Sequence, residues 1–195
     1  MKLKTITVLM LLFSVLLSGC GEGKFKPDTM SKDDIAIMKI DDKNAKIYYG
    51  MKRSEAEKIL GNGNKDILIK YDFGVEIMYR VNKENNEETV ALISLDEGSK
   101  KIYSTIRGIK VGDLKSDVIK SYGEKYPVPT MKIDRDIAYY YDLKLKKFMG
   151  QESLANPLSN KDDLYEQIGT DFIFNDNGYV DRIMLYDRHM AIFFQ

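Results

Sequence analysis

Gly50 to Gly61 reads GMKRSEAEKILG, and Gly112 to Gly123 reads GDLKSDVIKSYG. Each phrase closes the same frame, Ile47-Tyr-Tyr-Gly50 and Ile109-Lys-Val-Gly112. Position by position they share Gly50/Gly112, Ser54/Ser116, Lys58/Lys120 and Gly61/Gly123, and Arg53/Lys115, Glu55/Asp117 and Ala56/Val118 are chemically alike. A repeat of this kind constrains the architecture before any single element is assigned. Ala56, Ile59 and Leu60, like Val118, Ile119 and Tyr122, recur at helical spacing and form one apolar stripe. Each phrase therefore predicts a short amphipathic helix. The leading glycine releases the chain from an extended segment, and the trailing glycine sits where helices commonly end in a left-handed residue. Ser54 with Glu57 three residues on fits a capping box.

The segments after the two helices also match. The first helix is followed by Tyr71-Asp72-Phe73, then Gly74-VEIMYRV, a turn, and Val90-ALISLD. The second is followed by Tyr139-Tyr140-Tyr141-Asp142, a detour, then Gly169-TDFIF, the turn Asn175-Asp-Asn-Gly178, and Val180-DRIMLYD. Val75, Ile77, Tyr79 and Val81 alternate onto one strand face, as do Thr170, Phe172 and Phe174. Asp-Asn-Gly between alternating runs is a hairpin turn, because Asn and Gly accept positive φ. The prediction is an α+β fold with two tandem helix-plus-hairpin units, residues 34–101 and 102–195, the second interrupted by an insertion at 143–167. The tail His189-MAIFF is expected as a fourth strand of the second unit, with Ile102-YSTIRGI as its counterpart in the first.

One helix cannot cover both faces of three or four strands. The two units are therefore expected to join into one curved sheet with helices on one face and the other face open. The open face would carry Glu76, Met78, Arg80, Leu92, Ser94, Asp171, Ile173, Arg182 and Met184. Tyr140 points away from Tyr139 and Tyr141, and with Tyr126 and Tyr165 it would supply an aromatic anchor of the kind enriched at binding hot spots.

The first twenty residues carry an address. Met1-Lys-Leu-Lys is basic, and Ile6 to Leu17 is an uncharged apolar run, too short to cross a bilayer core of roughly 30 Å as a helix but of the length used in secretory signals. Leu17-Ser18-Gly19-Cys20 resembles a bacterial lipobox. The resemblance implies cleavage after a signal at residues 1–19, acyl lipid on Cys20 and a location on the outer side of the cell membrane. The polar run after it, GEGKFKPDTMSKD with two glycines and a proline, reads as a tether, so that residues 20–33 are lipidated cysteine and tether. Cys20 is the only cysteine, so no disulfide is available within the exported domain.

The I-x-x-G-x-x-[KR]-S-[DE]-[AV]-x-K-x-[LY]-G frame followed by a hairpin resembles the SmpA/OmlA (BamE-type) lipoprotein domain. Its doubling resembles the β-lactamase inhibitor protein-like (BLIP-like) fold. The resemblance spans about residues 35–195 and rests on Gly50, Ser54, Gly61, Gly112, Ser116 and Gly123, which in that family determine the fold rather than catalyse. It implies a concave sheet used for protein contacts. The doubling and the insertion at 143–167 depart from a single domain of that family.

Composition restricts function further. The chain has 30 basic and 30 acidic side chains. Removing residues 1–19, whose only charges are Lys2 and Lys4, leaves 28 against 30, a net of −2. No polybasic footprint for nucleic acid remains. The single histidine, His189, lacks a G-x-S-x-G elbow or a free cysteine to serve as base for, and is expected at the surface on a sheet edge. No metal-ligand spacing is present. Glu76 and Asp171 occupy equivalent strand positions, and acid–base glycosidic chemistry would need them about 5–9.5 Å apart. The expectation is therefore a non-enzymatic, lipid-anchored envelope protein. It needs no cofactor beyond the lipid on Cys20 and binds another envelope or extracellular protein through the open face. The alternative is a sensor of a small ligand or cell-wall fragment, with the 143–167 insertion as a lid over Tyr140 and Tyr165.

Overall fold

A computed structural model describes residues 25–64, 66–129, 135–155 and 161–193. The signal segment, Cys20 and residues 21–24 lie outside the described residues. In chain order the elements are β1 (Ala36–Lys39), β2 (Lys46–Tyr48), α1 (Arg53–Leu60), β3 (Ile69–Tyr71), β4 (Val75–Val81) and β5 (Glu88–Leu95). Then come β6 (Tyr103–Thr105), α2 (Lys115–Tyr122), β7 (Asp136–Asp142), β8 (Lys147–Phe148) and α3 (Gln151–Ala155), followed by β9 (Gln167–Phe174), β10 (Val180–Asp187) and α4 (Arg188–Phe193). Among the described residues the fold is α+β with two antiparallel sheets, one of seven strands in the order β3-β4-β5-β10-β9-β7-β8 and one of three in the order β2-β1-β6.

The two predicted helices form where their stripes require. Ala56 and Leu60 of α1 and Val118 and Tyr122 of α2 are buried in one cluster with Val75, Ile77, Ile93, Leu95, Phe172, Ile183 and Leu185. Both helices thus cover the same face of the large sheet, and each fully buried aliphatic side chain contributes about 1.5–3 kcal/mol. The glycines around them act alike. Gly50 (φ 84°) and Gly112 (φ 88°) turn the chain with positive φ. Their N–H groups donate to Val90 O (2.8 Å) and Val180 O (2.7 Å), and the Val90 and Val180 N–H groups donate back to Met51 O and Asp113 O, both at 2.8 Å. Gly61 (φ 83°) and Gly123 (φ 111°) end the helices. Ser54 does not cap: α1 begins after the extended residue Lys52, which places Ser54 inside the first turn, and Glu57 pairs with Arg53 at 2.7 Å instead.

Strands β5 and β10 meet at the centre of the large sheet. Ser94 stands opposite Met184, flanked by Ile93 opposite Leu185 and Leu95 opposite Ile183. Outward from that seam, Glu76 pairs with Ser94 and Asp171 with Met184, so Glu76 and Asp171 stand at matching positions. Irregularities in pairing match as well, next to Ala91 in β5 and Asp181 in β10.

Five further expectations fail, each for a visible reason. The tail forms the short helix α4 rather than a strand, because the Asp187 carboxylate at the end of β10 accepts the Met190 N–H at 3.0 Å and starts a helical turn. His189 therefore sits in that first turn and not on a sheet edge. Tyr103–Thr105 is a strand, but it joins the three-stranded sheet. Ile37 of β1 pairs with Thr105, and Ile106 N donates to Ala36 O at 3.0 Å.

Residues 25–33 are not a free tether. Arg107 donates to Lys26 O and Thr29 O and pairs with buried Asp34, and Met30 is buried. Finally, the second face of the large sheet is largely covered. Met78, Leu92, Tyr140 and Tyr186 are buried in a cluster with Val128, Met149 and Met190, and Leu154 packs against it. Glu76, Ser94 and Asp171 are buried too. The covering comes from α4 and from the insertion, whose apolar residues supply the area that helices α1 and α2 cannot.

Candidate functional site

Side chains on the second face fall into rows across the strands. One row runs Met78–Leu92–Tyr186–Gly169–Tyr140. It is sealed by Met149, Met190 and Leu154, and the Tyr140 and Tyr186 hydroxyls bond to each other at 3.0 Å. The insertion is pinned over it: Met149 N donates to Tyr140 O at 2.9 Å, and Arg188 donates to Gln167 Oε1 at 2.6 Å and to Leu154 O at 3.1 Å. Tyr140 is thus a packed residue, not a presented anchor. Tyr126 stacks on Phe148, with ring centres 4.3 Å apart.

The next row is Lys70–Glu76–Ser94–Met184–Asp171–Ala138. Glu76 is held between Lys70 Nζ at 3.5 Å and Arg182 Nη1 at 3.4 Å. Among the described residues no cation is paired with Asp171. Burial and the nearby Asp136 carboxylate push its carboxyl up to about 7 from 3.8, and its Oδ1 is buried without a hydrogen-bond partner among the described residues. Glu76 and Asp171 are three strand spacings apart, about 14 Å at roughly 4.8 Å per strand. That is too far for paired acid–base work on one glycosidic bond. Beyond this row, Ile173 stands opposite Arg182, and Ile173, Arg182 and Met184 are half-buried. Together with Arg80 they form the part of the predicted surface that solvent reaches.

The remaining predicted residue, Arg80, opens onto a different place. Strand β4 has seven residues, but β3 pairs with only Val75, Glu76 and Ile77. Gly74 O accepts from Asp96 N at 3.0 Å and Asn82 N donates to Glu87 O at 2.9 Å, so the even-numbered backbone groups of β4 turn toward β5. The odd-numbered groups turn outward by alternation. Val75 and Ile77 meet Tyr71 and Ile69 there. Among the described residues no strand stands opposite Tyr79 and Val81 on that side.

A groove of about 560 Å³ lies along this edge, between Ile67 and Val81 on the outside and Arg80, Tyr165 and His189 within. Ile67 is 70% exposed and Val81 51%. The groove wall is fixed by polar contacts. Arg80 pairs with fully buried Asp187, donates to the Tyr49 hydroxyl at 3.2 Å, and lies 4.3 Å over the Tyr165 ring. Tyr165 stacks on His189, ring centres 4.4 Å apart. Burial and the adjacent Arg80 charge hold the His189 imidazole below its ordinary value, hence neutral at pH 7. Burial beside Asp187 raises the Tyr49 phenol. Arg53, on the far wall, is taken up by Glu57 and Glu88. Arg80 and Arg53 thus already have anions, while Lys83 and Asp66 also line the groove; its backbone edge and its apolar lips are further groups open to a visitor.

Sequence reading missed this groove. The signal was present in the length mismatch between Ile69–Tyr71 and Val75–Val81, but a strand's partner cannot be counted before the sheet order is known. Among the described residues no group of three or more His, Cys, Asp and Glu side chains is placed to hold a metal ion. No protein-family model, curated protein or solved structure matches the chain.

Proposed function

We propose that the chain is an exported, lipid-anchored cell-envelope protein that works as a non-catalytic binding module for another envelope or extracellular protein. The anchor is supported by the Lys2/Lys4 start, the apolar run Ile6–Leu17 and the phrase Leu17-Ser18-Gly19-Cys20. On this reading acyl lipid on Cys20 fixes the domain to the outer side of the cell membrane, and no metal or nucleotide takes part. The architecture is a tandem, BLIP-like one. The matching bonds of Gly50 to Val90 and Gly112 to Val180, and the seam at Ser94 and Met184, support two equivalent units.

The observation that carries the binding claim is the outer edge of β4 beside the groove, which among the described residues has no strand partner at Tyr79 and Val81. An extended segment laid along Tyr79–Val81 would continue the line of β3, take backbone hydrogen bonds from both residues, and seat alternate side chains between Ile67 and Val81. That is recognition by strand addition, in which the main chain gives affinity and flanking pockets give selectivity. The half-exposed band of Ile173, Arg182 and Met184 is a secondary contact on the same sheet.

The test is photo-cross-linking on intact cells, with a photoreactive residue at position 67 or, as the comparison, at position 177 in the β9–β10 turn. A discrete protein adduct from position 67 and none from 177 is expected. No adduct from 67, or equal adducts from both, overturns the proposal. The groove volume also lies within the 300–1,000 Å³ range of small-ligand sites, which favours a small-ligand sensor that binds at this edge rather than under the 143–167 insertion, where Met149 and Leu154 pack on Tyr140. That reading predicts a small molecule co-purifying with the protein and displaced by Ile67→Glu.

A further inference from the structure

The fold is tied down close to its proposed anchor. The Phe25 ring lies 5.3 Å from the Arg107 guanidinium, and Asp28 N donates to Tyr122 O at 2.9 Å while its carboxylate accepts Lys125 N at 2.9 Å. The chain is therefore part of the domain from Phe25 onward, only five residues after Cys20. Five residues span at most about 18 Å when fully extended. Once Cys20 carries lipid, whatever surface surrounds Phe25 is held within that distance of the headgroups.

That surface is the outer face of the three-stranded sheet. In β1 and β2, Ile37 and Ile47 pair and point into the core, so Ala36, Met38, Lys46 and Tyr48 point the other way. A depression of about 470 Å³ on this side is lined by Phe25, Lys32, Lys46, Tyr48 and Ile106, with Asp33 as its acid. Tyr48 is 47% exposed, and Lys32 and Lys46 are exposed. Tyrosine with its apolar ring and polar tip, ringed by lysines, is the composition that settles at a bilayer interface. Lysine stems lie along apolar surface while their ammonium groups reach phosphates.

We propose that this outer face is a membrane-docking surface, with Tyr48 and Ile106 at headgroup level and Lys32 and Lys46 against lipid phosphates. The inference rests on lipidation of Cys20. The tether supplies the proximity: docking is intramolecular, at an effective concentration in the millimolar range for so short a linker. A contact too weak to recruit a free protein therefore suffices to orient an anchored one.

The test uses the lipidated full-length chain in phosphatidylcholine/phosphatidylglycerol vesicles containing a nitroxide-headgroup lipid. Cys20 is the only cysteine and is occupied by lipid, so Lys43→Cys in the exposed β1–β2 turn gives one site for a fluorophore. The label is expected to be quenched. Adding Tyr48→Ser with Lys46→Glu should cut that quenching at least threefold, and Lys46→Glu alone should act in the same direction, while flotation with vesicles and the far-UV spectrum stay unchanged. Protein that floats with an unquenched label, or with quenching indifferent to both variants, overturns the docking surface. Wild-type protein that does not float overturns the anchor and this inference with it.

Discussion

Arg80 and Asp187 are joined by an ion pair that ties the end of β4 to the end of β10. Asp187 is fully buried and also accepts the Met190 N–H that starts α4. One carboxylate therefore holds both the wall of the groove and the helix behind it. Arg80→Ala would leave that charge buried and uncompensated, a change expected to lower stability by about 3 kcal/mol. Denaturant midpoints check it. Asp187→Asn in the same chain should recover part of the loss, because the amide carries no charge and still caps the helix, so the two changes are expected to be non-additive.

Asp171 makes stability depend on pH. In the folded chain its carboxyl is pushed up to about 7 by burial and by Asp136. Between 3.8 and about 7 the folded state therefore holds a proton that the unfolded chain has released. Stability falls as pH rises through that window and levels off above it. The loss is a few kcal/mol at most, since a tenfold change in proton affinity corresponds to about 1.4 kcal/mol. Asp171→Asn should flatten the profile, raising stability at pH 8 with little effect at pH 4. Urea unfolding at several pH values measures this, and an unchanged slope in the variant would contradict the assignment.

The repeated glycines differ in what surrounds them. Gly61 and Gly123 both have positive φ with ψ near 180°, a region that strains a side-chain-bearing residue by about 1–3 kcal/mol. At Gly61 an added Cβ meets nothing within 4 Å, whereas at Gly123 it would fall 2.2 Å from Asp28 Oδ1 and 2.5 Å from Asp28 N. Gly123→Ala should therefore cost clearly more than Gly61→Ala. Thermal unfolding of the two variants gives the order, and equal losses would mean that the 25–34 segment does not hold its place.

Much of the large sheet was legible because its signals are local. Glycine, a short apolar stripe and a second glycine mark α1 and α2, and alternation marks β4, β5, β9 and β10. The matching of Glu76 with Asp171 followed from the repeat and stands in the register. What sequence could not supply depends on distant contacts. His189-Met-Ala-Ile alternates like a strand, yet Asp187 starts a helix there. Tyr103–Thr105 resembles a member of the large sheet, yet β1 takes it as partner. Glu76, Met78, Tyr140 and Asp171 are on the predicted face but buried, because Met149, Leu154 and Met190 return from the insertion and the tail to cover it. Of the predicted open-face residues only Arg80 lines the groove, and its place there is set by Asp187 and Tyr165, both distant in the chain.

The central claim is that β4 offers its outer backbone edge to an extended segment, and Val81→Pro tests it most directly. Proline is tolerated on an edge strand where its missing N–H would have faced outward, so the variant should fold as the wild type does. It deletes one outward donor and crowds the added strand, while Val81→Thr keeps the donor. With the photoreactive residue at position 67 on intact cells, Val81→Pro is expected to reduce the protein adduct by roughly tenfold or more, the effect of a lost hydrogen bond plus steric conflict. Val81→Thr should stay near the wild-type yield. A folded Val81→Pro protein that captures the same adduct at wild-type yield would contradict binding by strand addition.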